Sequence, residues 1–189
     1  MRQIETPLGM LQVSLLGASE PGEAGSVNCR MDVVPIKPSL PSGMSVSGCV
    51  AAIVFVEPRE ALRNIRFHAR LLKSQIFEAS PETGEGLEAQ SFRTASHVLL
   101  VGTEDAEFLQ ARLRESVTLP EAPFTYTNDS IALEISEVRT GKEISLHLLM
   151  AWNELPEPQE CSCWYAVDQS HSALLLALGA NTSLQPRRP

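Results

Sequence analysis

The strongest structural signal in the chain is a series of short segments in which apolar residues occupy every second position. Apolar side chains alternate in this way from Ile144 to Trp152, and again from Ile131 to Ile135. Turn-forming residues separate the segments, at Asn128-Asp129 and between Arg139 and Lys142. A period of two places alternate side chains on opposite faces of a strand. We therefore predict an antiparallel meander of four strands over residues 124–168.

The sequence before this region indicates strands that alternate with helices. Cys49 to Val56 is a continuous apolar run, which is typical of a strand buried on both faces. Val98 to Val101 is a shorter run of the same kind. Thr103, followed by two carboxylates, is a favourable start for a helix.

Residues 58–76 fit two interpretations. Apolar residues at helical spacing favour one helix over this range; they are Leu62, Ile65, Ala69, Leu72 and Ile76. Ile65, Phe67, Ala69 and Leu71 also alternate with polar residues, as in a strand. The longer helical pattern favours the helix, and the strand remains the alternative.

The predicted fold class is α+β: a β-α-β-α segment, then a four-strand antiparallel meander and a short C-terminal helix. Residues 49–180 form the expected core domain. Residues 1–48 are a loop-rich N-terminal segment with possible edge strands, and residues 181–189 are a flexible tail. Residues 17–26 and 78–91, rich in glycine and glutamate, are predicted loops.

Charge and composition limit the possible partners. The formal net charge is −8 and the isoelectric point is about 5.0, which disfavours binding to nucleic acid or to an anionic membrane. No apolar run approaches the roughly 18 residues of a membrane span. The N-terminus lacks the basic start and unbroken apolar centre of a signal peptide, and four cysteines do not form a dense disulfide framework. We expect a cytoplasmic protein.

The segment from Glu160 to His171, ECSCWYAVDQSH, has the highest density of reactive side chains. We interpret it as the last strand of the meander. Cys163 is the candidate nucleophile, with Asp168 and His171 as candidate base and orienting group, because a catalytic thiol needs a base within hydrogen-bonding reach. A buried structural cysteine is the alternative, and a position in mid-strand favours it.

A metal site in the same segment would use Cys161, Cys163 and His171, with His147 as a fourth ligand from the neighbouring strand. The single residue between the cysteines is shorter than the spacing typical of structural zinc sites. His147 also lies between Leu146 and Leu148, and therefore faces away from that apolar row. We expect no metal and no cofactor.

Because no local catalytic motif is present, the leading hypothesis is an interaction protein that binds, inhibits or neutralises a basic protein. An enzyme centred on Cys163, or a small-ligand or metal-binding module, is the alternative. The candidate binding residues are two tryptophans, which are common in interface anchors, and the glutamates of the acidic region: Trp152, Trp164, Glu82, Glu85 and Glu88.

Overall fold

The computed structural model describes residues 1–17, 27–72, 76–84 and 86–183. Most of the predicted loop 17–26 and most of the predicted tail 181–189 lie outside these ranges. Among the described residues, no helix has the length and the apolar character needed to cross a membrane.

The described part of the chain contains two antiparallel sheets of six strands each and three helices. The first sheet, sheet A, has the order β1-β2-β5-β11-β10, and β9 also pairs with β11. Its strands are β1 (Arg2–Thr6), β2 (Gly9–Leu16), β5 (Leu62–Leu72), β9 (Val117–Thr118), β10 (Phe124–Tyr126) and β11 (Ser130–Val138). The second sheet, sheet B, has the order β3-β4-β12-β8-β7-β6. Its strands are β3 (Val27–Pro35), β4 (Gly48–Pro58), β6 (Glu78–Gly84), β7 (Leu87–Arg93), β8 (His97–Glu104) and β12 (Ile144–Glu154).

The two sheets pack face to face around an apolar inner core. From sheet A, the side chains that face this core include Phe67, Leu133 and Ile135. From sheet B, the even-numbered residues of β12 from Ile144 to Met150 face it. Both sets follow the period of two that places one face of each strand in the core of a sandwich.

Helix α1 (Ala106–Leu113) follows β8 and adds Leu109 and Leu113 to the inner core. Asp105 caps this helix by accepting a hydrogen bond from the Phe108 N–H at 2.8 Å. Thr103, where the sequence predicts the helix to start, still belongs to β8. The helix therefore begins after the second of the two carboxylates.

The outer face of sheet B is covered by two further helices, α2 (Ser162–Val167) and α3 (His171–Ser183). Cys163, Ala166 and Val167 of α2, with Leu174 and Leu178 of α3, pack on this face in a second apolar cluster. The sheet contributes Ala51, Ile53, Leu100, Leu149 and Ala151. The central strands β4, β12 and β8 of sheet B are therefore buried on both faces, which explains the continuous apolar runs in β4 and β8.

The predicted α+β fold, with its β-α-β-α segment and four-strand meander, is wrong. Residues 62–72 form strand β5, which is the alternative to the predicted helix over residues 58–76. The alternation of apolar and polar side chains therefore indicates the structure of this segment correctly, and the helical spacing of its apolar residues does not. The predicted loop 78–91 contains the hairpin β6–β7, in which Leu87 and Ala89 are buried. The chain therefore has strand β5 where a helix is predicted, and strands β6 and β7 where a loop is predicted.

The meander is also wrong, although its alternating segments are strands. β11 pairs with β5, β9 and β10 in sheet A, whereas β12 pairs with β4 and β8 in sheet B. The turn between Arg139 and Lys142 therefore carries the chain from one sheet to the other. Alternation predicts a strand correctly, but it does not specify which strand is its neighbour.

The segment predicted as the last strand is helical. Cys161 has a left-handed backbone with φ of 64°, and α2 begins at the next residue. The buried residues of α2 are Ser162, Cys163, Ala166 and Val167. Buried residues that recur after three or four positions are typical of a helix. In the sequence, the cysteines at positions 161 and 163 suggest a period of two instead, which is the basis of the predicted strand.

Strands β1, β2 and β3 lie in the described part of residues 1–47. The hairpin β1–β2 joins sheet A through the pairing of β2 with β5, and β3 is an edge strand of sheet B. Ile4, Leu11 and Val13 are buried in the inner core. These strands therefore contribute side chains to the sandwich core.

The C-terminal helix α3 begins at His171. Ser170 Oγ accepts a hydrogen bond from the Ala173 N–H at 3.3 Å, as expected of a residue that caps a helix. The helix has 13 residues and ends at Ser183, so it is longer than the short C-terminal helix that the sequence predicts.

Candidate functional site

Cys163 lies on α2 with its side chain buried against the outer face of sheet B. Burial raises the pKa of its thiol above the ordinary value, and the neighbouring Glu157 carboxylate raises it further. Glu157 Oε1 accepts a hydrogen bond from the Cys163 N–H at 3.0 Å. A thiol that is held protonated is a poor nucleophile.

His171 hydrogen-bonds with Ser145 and His147 of β12. Its Nε2 lies 2.8 Å from Ser145 Oγ, and its Nδ1 lies 2.9 Å from His147 Nδ1. Asp168 lies at the end of α2 and lines a small cavity that also borders His147. The structure therefore brings the predicted residue His171 together with two side chains of β12.

A wide groove lies between α2 and the outer part of sheet B. It has a volume of about 840 Å³. Strands β6, β7 and β8 supply one wall, and the loop before α2, together with α2 itself, supplies the other. Its chemically distinctive lining residues are three glutamates, one arginine and two aromatic side chains: Glu82, Glu157, Glu160, Arg93, Trp164 and Tyr165.

The predicted binding residues divide between the two faces of sheet B. Glu82 and Trp164 line the groove. Trp152 lies on the inner side, opposite Gly48 across the β4–β12 pair. Glu88 accepts a hydrogen bond from the Tyr126 hydroxyl, and Glu85 lies outside the described residues. Burial and the Glu88 carboxylate raise the pKa of Tyr126 above its ordinary value.

Ser91 adds an unpaired polar atom to the groove. Its side chain is 1% exposed, and its Oγ has no hydrogen-bond partner among the described residues. Ser91 lies on β7 between Ser80 of β6 and Leu100 of β8. Because a buried hydroxyl without a partner is costly, this atom favours a ligand that can hydrogen-bond with it.

A second polar cluster lies beneath the start of α3. The β8–β12 register pairs Leu149 with Gly102, and its continuation places His147 beside Glu104. One ligand atom from each of Glu104, His147 and His171 lies within 4.8 Å of the others. Burial lowers the pKa of both imidazoles, to about 4 for His171, so both are neutral at pH 7.

Arg112 of α1 holds the carboxylate of this cluster. Its Nε donates to Glu104 Oε1 at 3.1 Å and to Oε2 at 3.0 Å, and its Nη1 donates to the Ser145 carbonyl at 2.9 Å. A cavity of about 190 Å³ borders Glu104 and His147. Ser145 does not line this cavity.

The sequence groups His147 and His171 only within a metal site that also contains Cys161 and Cys163, and that site is not expected. Glu104 is assigned to the start of a helix and is not among the candidate ligands. The available signal is a histidine within the otherwise apolar segment Leu146–Met150. The groove residues Glu157, Glu160 and Arg93 carry no comparable signal. They meet only because α2 folds back over sheet B.

The chain matches no known protein-family model and no curated protein. One solved structure that it resembles is titled "Putative kojibiose phosphorylase from human microbiome", with a TM-score of 0.39 and 10% sequence identity. The match covers 97% of this chain and 22% of that protein, so this chain spans less than a quarter of its length. A TM-score this low does not establish a shared fold.

Proposed function

We propose that this chain is a binding protein whose groove between α2 and sheet B takes an arginine- or lysine-bearing segment of a basic protein partner. The observation that carries the proposal is the combination of three carboxylates with two aromatic side chains in one groove of about 840 Å³. Arg93 is the one cationic side chain among the residues that line it.

Charge complementarity supports a cationic ligand. The groove contains more carboxylates than cations, in a chain whose formal net charge is −8. Such a surface attracts a basic segment and repels an acidic one. A guanidinium group can also donate two parallel hydrogen bonds to a carboxylate, which adds geometric specificity to the charge attraction.

The aromatic side chains suit the same ligand. Tyr165 is 41% exposed, and Trp164 is partly buried against the outer cluster. A cation over the face of an indole or phenol ring gains about 0.5–1 kcal/mol at an exposed site. The unpaired Ser91 hydroxyl can hydrogen-bond with the main chain of a bound segment.

The test is a titration with fluorescein-labelled hexa-arginine, measured by fluorescence anisotropy at low ionic strength. Glu82→Gln and Glu160→Gln each remove one groove carboxylate. The matched control is Glu143→Gln, an exposed residue outside the groove with the same change in net charge. We expect each groove variant to weaken binding by about two- to fivefold, the range for an exposed ion pair, and the control to change little.

Two further measurements separate specific binding from unspecific charge attraction. In a Trp152→Phe background Trp164 is the remaining tryptophan, so a change in its fluorescence reports directly on the groove. Hexa-lysine and hexa-glutamate distinguish guanidinium recognition from charge alone. The proposal fails if the Glu143 control weakens binding as much as the groove variants, or if Trp164 does not respond at saturating hexa-arginine.

A further inference from the structure

The cluster beneath α3 has the donor set of a transition-metal site. Imidazole nitrogens and a carboxylate oxygen are ligands that Zn²⁺ prefers, and a three-ligand set leaves a coordination position open. His147 is 1% exposed and His171 is 5% exposed, so both donors are held within the protein. Three separate elements supply the ligands: the end of β8, the middle of β12 and the start of α3.

We infer that Glu104, His147 and His171 bind a Zn²⁺ ion, with a remaining coordination position toward the adjacent cavity. This site is separate from the groove and does not depend on the proposed peptide ligand. The ligand atoms already lie within 4.8 Å of one another. Two nitrogen ligands of a tetrahedral zinc lie roughly 3.3 Å apart, and the Nδ1 atoms of the two imidazoles are 2.9 Å apart. A shift of a few tenths of an ångström therefore separates this arrangement from a zinc-binding one.

Two existing contacts must change when the ion binds. If both Nδ1 atoms become ligands, the proton between them must move to the Nε2 atom of the imidazole that carries it. Both imidazoles stay neutral, so this change is a tautomer shift without net proton release. The Glu104 carboxylate must also turn at least one oxygen from Arg112 to the metal. Arg112 is therefore a competitor for the carboxylate, and its removal is expected to strengthen metal binding.

The cavity gives the site an open side. Besides Glu104 and His147, it is lined by Thr103, Phe108 and Asp168. Its volume of about 190 Å³ is larger than the roughly 30 Å³ that a water molecule occupies in the liquid. A water molecule can therefore complete the coordination of the ion.

The test is a Zn²⁺ titration of the full chain against a chromogenic chelator, after residual metal has been removed. We expect Glu104→Gln and His171→Gln to lower the affinity at least tenfold, and Arg112→Met to raise it. His97→Gln is the matched control, because His97 is a histidine outside the cluster. If His171→Gln does not fold, as judged by circular dichroism, the near-isosteric Glu104→Gln carries the same comparison.

Co²⁺ distinguishes this site from adventitious binding at the exposed free thiols Cys29 and Cys161, because thiolate is also a transition-metal ligand. The expected Co²⁺ spectrum lacks a thiolate charge-transfer band and is unchanged in a Cys29→Ser/Cys161→Ser variant. The inference is overturned if the chain binds no Zn²⁺, if the cluster variants bind it as tightly as the control, or if the double cysteine variant abolishes binding.

Discussion

The contact between Gly48 and Trp152 provides a direct test of the β4–β12 register. The two residues face each other across the strand pair, and the indole lies over the glycine. A Cβ atom added at Gly48 would lie 2.2 Å from Trp152 Cζ2 and 2.4 Å from Cε2. Carbon atoms in favourable contact are about 3.5–4.0 Å apart. The overlap is therefore large at both ring atoms, and the indole must move.

We expect Gly48→Ala to lower the free energy of unfolding by about 2–3 kcal/mol, the upper part of the range for overpacking. For a chain of this size, that cost corresponds to a decrease in Tm of roughly 4–12 °C. Thermal and urea unfolding followed by circular dichroism measure both quantities. Gly179→Ala is the control, since an added Cβ there meets no atom within 4 Å and alanine favours a helix.

A double-mutant cycle assigns the cost to the indole. In a Trp152→Ala background the obstruction is absent, so Gly48→Ala is expected to be nearly neutral. The coupling energy between the two positions is then about 2–3 kcal/mol. An equal loss of stability in both backgrounds would refute the contact, and with it the register that places these residues opposite each other.

Two further predictions follow from burial and charge. In the native protein, iodoacetamide is expected to label the exposed Cys29 and Cys161 and to spare the buried Cys49 and Cys163. Burial raises the thiol pKa of both buried residues, to about 12 for Cys49, so little reactive thiolate is present. Mass spectrometry of native and denatured protein measures the labelling of each cysteine, and rapid native labelling of Cys163 would contradict the packing of α2. Hydrogen bonds from Thr127 and Arg70 lower the pKa of Asp129, so its carboxylate stabilises the fold at neutral pH and loses this effect as pH falls below 3.8 and through the lowered pKa. Asp129→Asn should therefore cost less than about 1 kcal/mol at pH 7 and progressively less in acid, as measured by urea unfolding across pH; a difference that does not change with pH would contradict the role of the charge.

The sequence predicts the strands better than it predicts their arrangement. Alternation identifies β11 and β12 because one side chain in two faces the inner core. The continuous apolar run of β4 correctly predicts a strand that is buried on both faces. Strands buried on both faces are typical of parallel sheets, in which helices connect the strands. The run alone therefore favours a β-α-β-α interpretation. Here helices α2 and α3 cover the outer face, and a local pattern does not reveal such a distant cover.

The candidate sites differ in how far the sequence anticipates them. The sequence groups His147 and His171 only with Cys161 and Cys163, in a metal site that is not expected because the cysteine spacing is too short for structural zinc. Glu104 joins them through the β8–β12 register, which depends on pairing between segments that lie far apart in the chain. The groove requires α2 to lie beside β6 and β7, so its lining residues have no shared local pattern.

The central position of β12 in sheet B has a consequence for folding during synthesis. β12 is the last strand along the described part of the chain, yet it lies between β4 and β8. Until it emerges from the ribosome, sheet B consists of two separate halves, and each half presents an unpaired edge rich in apolar residues. Such edges are templates for aggregation, and long-range pairing of this kind is slow. A nascent chain that stops before residue 144 therefore resembles a chaperone substrate more than a folded domain.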